Sequence, residues 1–157
     1  MLLTGLTAGM MILIFCFSME PAEQSDKTSG HLTCAVIALV YPELEQYPAE
    51  QQRVLYDQIQ YAVRKTAHFM EYATLGLLIR LCLESWFGRR KGLVPISWLC
   101  GTAYAGTDEI HQIMIDGRSG MMEDVLLDSC GVITGAMIAA GVLALIHRRI
   151  KRRNSEG

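Results

Sequence analysis

The stretch VLLDSCGVITGAMIAAGVLALIH, residues 125–147, decides the fold class of this chain. It is apolar apart from Asp128, and a basic cluster over residues 148–153 follows it directly. A helix needs about 20 mostly apolar residues to cross roughly 30 Å of hydrocarbon. The stretch therefore predicts a transmembrane helix with a basic flank, and its Gly131-x-x-x-Gly135 motif predicts close approach to a neighbouring helix.

Three further segments, residues 2–19, 66–86 and 92–110, are similar in length and largely apolar. Residues 2–19 lack the basic flank and the cleavage site of a secretory signal peptide, so we expect a retained span. A soluble helical bundle is the alternative, but runs that are hydrophobic on all sides argue against it. The sequence predicts an all-α, polytopic membrane protein with four transmembrane helices in a single domain, residues 1–157.

Charge asymmetry gives the predicted topology. Basic clusters at residues 89–91 and 148–153 follow the second and fourth spans, whereas residues 20–64 are rich in acids. The positive-inside rule places both basic clusters, and with them both termini, on the cytoplasmic side of the membrane. We interpret the basic tail as a topology signal that can also contact anionic membrane lipid, and expect no nucleic-acid partner.

The long acidic loop after the first span carries helix signals of its own. Ser29 is a candidate cap for a short apolar helix over residues 31–40. Pro48 predicts the start of a second helix over residues 49–63 that continues into the next span. Amphipathic pieces of this kind settle at membrane interfaces, so we expect an outer interfacial helical loop.

Polar side chains gather at the predicted outer ends of three spans. Because neighbouring spans run in opposite directions, the end of the third span and the starts of the second and fourth meet one membrane face. Ionisable groups within a span are costly, which makes them candidates for function. The candidates are Lys65, His68, Glu71, Tyr72, Asp108, His111, Gln112, Arg118, Ser119 and Asp124.

Three chemical interpretations of this polar group stay open. His68, Glu71, Asp108 and His111 are candidate ligands of a divalent metal cofactor such as zinc. Without metal, the same four residues and Asp124 could form a catalytic acid/base centre. Alternatively, the cationic members could hold an anionic group by charge-assisted hydrogen bonds, with no reaction.

The remaining charges near the span ends have a simpler interpretation. Snorkelling or ion pairs that fix helix packing explain such residues without any chemistry. We expect Glu109 to be solvated at the outer side. We expect the same of Arg80 and Glu84 near the cytoplasmic end, where their spacing allows an i,i+4 pair.

The polar residues also carry a family resemblance. Residues 64–76 resemble the first signature of the VanZ-like family, and residues 107–112, 117–119 and 124–131 resemble its second. Residues 18–25 are similar to the family's segment after its first span. The chain departs from the family pattern at Asp128, where many members carry an amide.

The resemblance implies a membrane protein of the cell envelope, in a family whose founding member is associated with resistance to the lipoglycopeptide antibiotic teicoplanin. Partners would be membrane lipid and a lipid-linked cell-wall precursor or lipoglycopeptide. We expect an anionic or lipid-linked component of the bacterial envelope to be bound at the extracytoplasmic face, where it could also be chemically modified. Whether the protein is an enzyme stays open. The alternative is a non-enzymatic scaffold whose polar cluster locks the helices. The residues expected to contact the component are Lys65, Tyr72, Gln112, Arg118 and Ser119.

Overall fold

The computed structural model describes residues 1–115 and 120–155, and the regular structure in these ranges is entirely helical. The predicted all-α class is therefore confirmed. The predicted spans correspond to the first helix, the C-terminal half of the third, and the last two helices. The elements are α1 (Leu2–Ser18), α2 (Ala22–Val40), a 3₁₀ helix (Leu44–Gln46), α3 (Ala49–Phe87), α4 (Leu93–Gln112) and α5 (Met122–Ser155).

Among the described helices, α5 is the one that is long and apolar enough to cross a membrane by itself. One third of its most apolar window is buried within the chain, so the rest of that window faces outward. The 17 residues of α1 pass the same test only together with α2, as a bent pair. The structure thus supports one clear span, and the four-span topology stays a prediction.

α3 and α5 pack backbone to backbone through glycine. A Cβ atom on Gly135 would lie 1.7 Å from the carbonyl oxygen of Ala73. One on Gly76 would lie 2.1 Å from the carbonyl oxygen of Val132, and Gly131 is similarly enclosed by α3. The predicted use of residues 131 and 135 for close helix approach is confirmed.

α2 differs from the prediction, whereas α3 agrees with it. α3 begins directly after Pro48 and continues unbroken into the predicted span. Ser29 is not a cap: α2 already begins at Ala22 behind Pro21, and the Ser29 hydroxyl donates to the Ser25 carbonyl, 3.0 Å away. A proline just before the first turn favours the start of a helix there, so α2 begins ahead of Ser29. Inside a helix, a serine hydroxyl can donate a hydrogen bond to a carbonyl of the preceding turn.

Candidate functional site

A cavity of about 220 Å³ lies between the end of α1, α2 and the middle of α3. Two of the predicted catalytic residues, His68 and Glu71, line it together with Arg64. These three follow one another at four- and three-residue steps, so one face of α3 presents them together. The wall opposite is formed by Phe17, Glu20, Ser25, Thr28, Ser29 and Leu32.

Arg64, the arginine that lines this cavity, forms a weak ion pair with Asp26. The Arg64 guanidinium donates to the Asp26 carboxylate across 2.9 Å, and both side chains are substantially exposed, at 38% and 49%. Exposed pairs of this kind contribute about 0–1 kcal/mol. An incoming anion with good geometry could therefore compete with Asp26 for the guanidinium.

The middle of α3, where the predicted second span begins, contacts the start of α5 through an ion pair. Lys65, a predicted binding residue, donates to the carboxylate of Asp124, a predicted catalytic residue. Each side chain is only about one-fifth exposed, at 21% and 20%, and the Lys65 ammonium also lies 5.1 Å from the Tyr61 ring centroid. The two charges therefore neutralise each other at the helix interface.

A buried polar cluster lies behind this ion pair, where α3, α4 and α5 meet. The Gln112 amide donates to the Asp108 carboxylate across 3.1 Å, and both residues are buried. Tyr72 is completely buried and interacts electrostatically with Asp108 and Asp128. Three residues from the predicted site are thus assembled in the core, away from the surface where a large substrate could reach them.

Asp128 is the unexpected member of this cluster. It is fully buried, and within residues 1–115 and 120–155 neither of its carboxylate oxygens has a hydrogen-bond partner. Its electrostatic neighbours include three acids, Glu71, Asp108 and Glu109, and the cation of Lys65. An amide would suit such surroundings, because it keeps the shape of the side chain and removes the charge.

Glu109 was expected to be solvated, and this expectation is wrong. It is 4% exposed, and its carboxylate accepts a hydrogen bond of 3.1 Å from the backbone N–H of Met121. The sequence does contain a signal for the burial of Glu109. Glu109 follows Gly101 and Ala105 at four-residue steps, so the helix period puts it on the small-residue face that packs inward.

His111 contacts α1. Its ring stacks on Phe15 of α1 at a centroid distance of 4.7 Å and an interplanar angle of 24°. Across the described ranges, no group of three or more His, Cys, Asp or Glu side chains has the arrangement of a metal site. The four metal candidates are therefore not assembled as a ligand set. Arg118 and Ser119 lie outside the described residues.

These features define a helical protein built around an apolar helix of membrane-spanning length, with a polar cavity beside a buried acidic cluster. The family model VanZ/LLP1 matches residues 3–146, so the chain belongs to the VanZ/LLP1 family. The resemblance of its polar signatures is confirmed by this match. Neither a search of curated proteins nor a search of solved structures finds a match to the chain.

Proposed function

We propose that the chain is a multi-pass protein of the bacterial cytoplasmic membrane, with four spans and both termini in the cytoplasm. α5 supports this directly, because it is long and apolar enough to span. Large apolar side chains are also exposed on the other predicted spans, including Ile12 on α1 and Leu99 on α4. Extended apolar surface of this kind suits lipid better than water. The positive-inside rule sets the orientation.

In this arrangement α3 reaches well beyond the bilayer. Its 39 residues span about 58 Å at 1.5 Å per residue, nearly twice the hydrocarbon thickness. Because the helix is unbroken, its N-terminal half projects outward with α2 alongside instead of lying flat on the interface. A reporter fused after Lys91 should read as cytoplasmic; an extracytoplasmic reading would overturn the orientation.

The cavity beside His68 and Glu71 then opens at the extracytoplasmic end of the spans. We propose that it binds the anionic group of a lipid-linked cell-envelope component. The observation that carries this proposal is the joint lining of one cavity by Arg64, His68 and Glu71, next to the apolar side chain of Leu32. A guanidinium holds phosphate or carboxylate by charge-assisted bonds, and the apolar wall accommodates a lipid portion.

The proposal also includes chemical modification of the bound component. An imidazole beside a carboxylate is a suitable general base, and His68 and Glu71 supply that pair of groups at the cavity wall. The buried Asp108 and Tyr72 would act indirectly, by fixing the position of α3 against α4. Membership of the VanZ/LLP1 family supports a link to teicoplanin resistance as the biological readout.

The test uses cells that depend on the chain for an envelope phenotype, measured as teicoplanin susceptibility. His68→Ala and Glu71→Gln should abolish the phenotype at unchanged protein amount and unchanged thermal stability in detergent. Asp57→Asn, an exposed change on the same helix, is the control and should retain it. Full phenotype in both cavity variants would refute the proposal.

A second candidate is a non-enzymatic scaffold, and one observation favours it. Several predicted site groups are engaged in contacts between helices, namely the Lys65–Asp124 ion pair and the His111–Phe15 stack. A scaffold predicts that His68→Ala and Asp108→Asn lower the melting temperature in detergent together with the phenotype. Loss of phenotype without loss of stability would exclude it.

A further inference from the structure

A second polar cavity, of about 410 Å³, lies at the opposite end of α3 and α5. Arg80 and Glu84, which the sequence suggested were solvated, form its inner wall, and that expectation is wrong. Their side chains are only 8% and 12% exposed. The predicted i,i+4 pair is confirmed, with 2.5 Å between Nη2 of Arg80 and Oε2 of Glu84. The full lining is Arg80, Glu84, Arg89, Arg90, Lys91, Ala140, Leu143, Ala144 and His147.

The Arg80 guanidinium is only partly satisfied by Glu84. Its Nε and Nη1 atoms are buried, and neither has a hydrogen-bond partner in the described part of the chain. A buried donor without a partner costs about 1–3 kcal/mol, and more when the group is charged. The residue is nine-tenths buried and lines the cavity, so an anionic acceptor placed there would satisfy these donors.

The other polar neighbours leave room for such an acceptor. His147 donates from Nδ1 to the Leu143 carbonyl at 2.7 Å, which turns its Nε2 towards Glu84, 3.9 Å from Oε1. Glu84 therefore accepts a hydrogen bond from Arg80 and has the His147 ring beside it.

The charge of the lining is strongly positive. The permanent cations of Arg80, Arg89, Arg90 and Lys91 face the single carboxylate of Glu84 among the described lining residues. Guanidinium groups match the oxygens of a phosphate in a bidentate manner. The cavity is therefore suited to a phosphate-bearing anion.

The apolar side of the cavity indicates which phosphate-bearing molecule fits. Ala140, Leu143 and Ala144 of α5 form that wall. A soluble phosphate would gain nothing from this surface, whereas acyl chains would pack along it. Basic pockets between transmembrane helices at the cytoplasmic side bind anionic lipid head groups.

We propose that this cavity is a binding site for the phosphate head group of an anionic phospholipid, with Arg80 as the buried anchor and residues 89–91 at the entrance. The site rests on the proposed membrane placement and is independent of the ligand at the extracytoplasmic cavity. It gives a role to a buried arginine that the family signatures do not include.

The test compares lipids on the full chain purified in detergent, by native mass spectrometry and thermal shift. Phosphatidylglycerol should be retained and should raise the melting temperature, whereas phosphatidylcholine should do neither. Arg80→Gln should weaken retention about tenfold or more, as expected for charge-assisted hydrogen bonds. If Arg80→Gln does not fold, the exposed triple change Arg89→Gln, Arg90→Gln and Lys91→Gln decides, with the same expectation.

The matched control neutralises Lys151, Arg152 and Arg153 in the tail, which lie outside the cavity lining, and should change retention much less. Equal retention by wild type and the cavity variants would overturn the proposal. Equal stabilisation by inorganic phosphate and by phosphatidylglycerol would also overturn it, in favour of a soluble ligand. A chain that purifies without detergent would instead refute the membrane placement, so the two failures are distinguishable.

Discussion

Replacement of Gly135 by alanine tests the packing of α3 against α5, which brings Lys65 to Asp124 and Glu84 to His147. The added Cβ atom would lie 1.7 Å from the carbonyl oxygen of Ala73, a backbone atom that cannot rotate away. Real Cβ contacts stay beyond 3.0 Å, so α3 and α5 would have to separate by more than an ångström. Overpacking of this kind costs about 1–3 kcal/mol, and a rigid backbone neighbour favours the upper end.

Gly141→Ala on the same helix is the matched control, because a Cβ atom there meets nothing within 4 Å. Replacing a helical glycine by alanine stabilises the helix by about 0.8–1 kcal/mol, and both variants share this gain. The difference between their melting temperatures therefore isolates the steric effect. We expect Gly135→Ala to melt at a lower temperature in detergent than wild type, and Gly141→Ala at the same temperature or higher. Equal melting temperatures for the two variants would refute the close approach of α3 and α5.

The remaining predictions concern charges between the helices. Asp128→Asn should leave stability unchanged or raise it by at most about 1–3 kcal/mol, because the amide keeps the shape of a fully buried side chain whose ionised form is unfavourable beside other acids. Thermal denaturation should show no such gain for Asp57→Asn, and clear destabilisation of the Asp128 variant would contradict the reasoning. Lys65→Met and Asp124→Asn should each destabilise by about 1–3 kcal/mol, since each leaves one mostly buried charge unpaired. The double variant Lys65→Met/Asp124→Asn should lose less stability than the sum of the two single losses, as a double-mutant cycle measures; purely additive losses would count against the pair.

Local signals account for the part of the fold that the sequence predicts well. Apolar runs located α1, α4, α5 and the second half of α3, and Pro48 located the start of α3. The glycine pair at residues 131 and 135 predicted close helix packing, because small side chains are the general means of bringing helix backbones together. These features depend on neighbours within a few residues.

Burial of charged side chains depends instead on which helix faces meet, and the sequence predicts this less well. Glu109 and Arg80 both point inward, although charge near a span end suggested solvation for both. The four-residue recurrence of small residues on α4 would have placed Glu109 inward. For Arg80, the local pair with Glu84 is predicted by the sequence, but burial depends on the packing of α5, where His147 lies beside Glu84.

The candidate site shows the same difference between local signals, which the sequence reveals, and contacts between distant helices, which it does not. Helical spacing puts His68 and Glu71 side by side, and Lys65 meets Asp124 because the predicted second and fourth spans run in the same direction and begin at the same face. The wall that α2 contributes to the cavity was not predicted, because Pro21 starts that helix earlier than the Ser29 signal suggested. The stacking of His111 on α1 also has no signal in its own neighbourhood.

Photo-crosslinking in living cells tests the central claim, that the extracytoplasmic cavity binds a lipid-linked anionic component. A diazirine amino acid at Leu32 places the reactive group at the cavity wall, and the same group at the exposed Ile138 of α5 is the control. We predict that position 32 yields an adduct with the mass of a lipid-linked cell-wall precursor, which His68→Ala removes, while position 138 yields only bulk phospholipid. Bulk phospholipid adducts alone at both positions, or no adduct at position 32, would contradict the account.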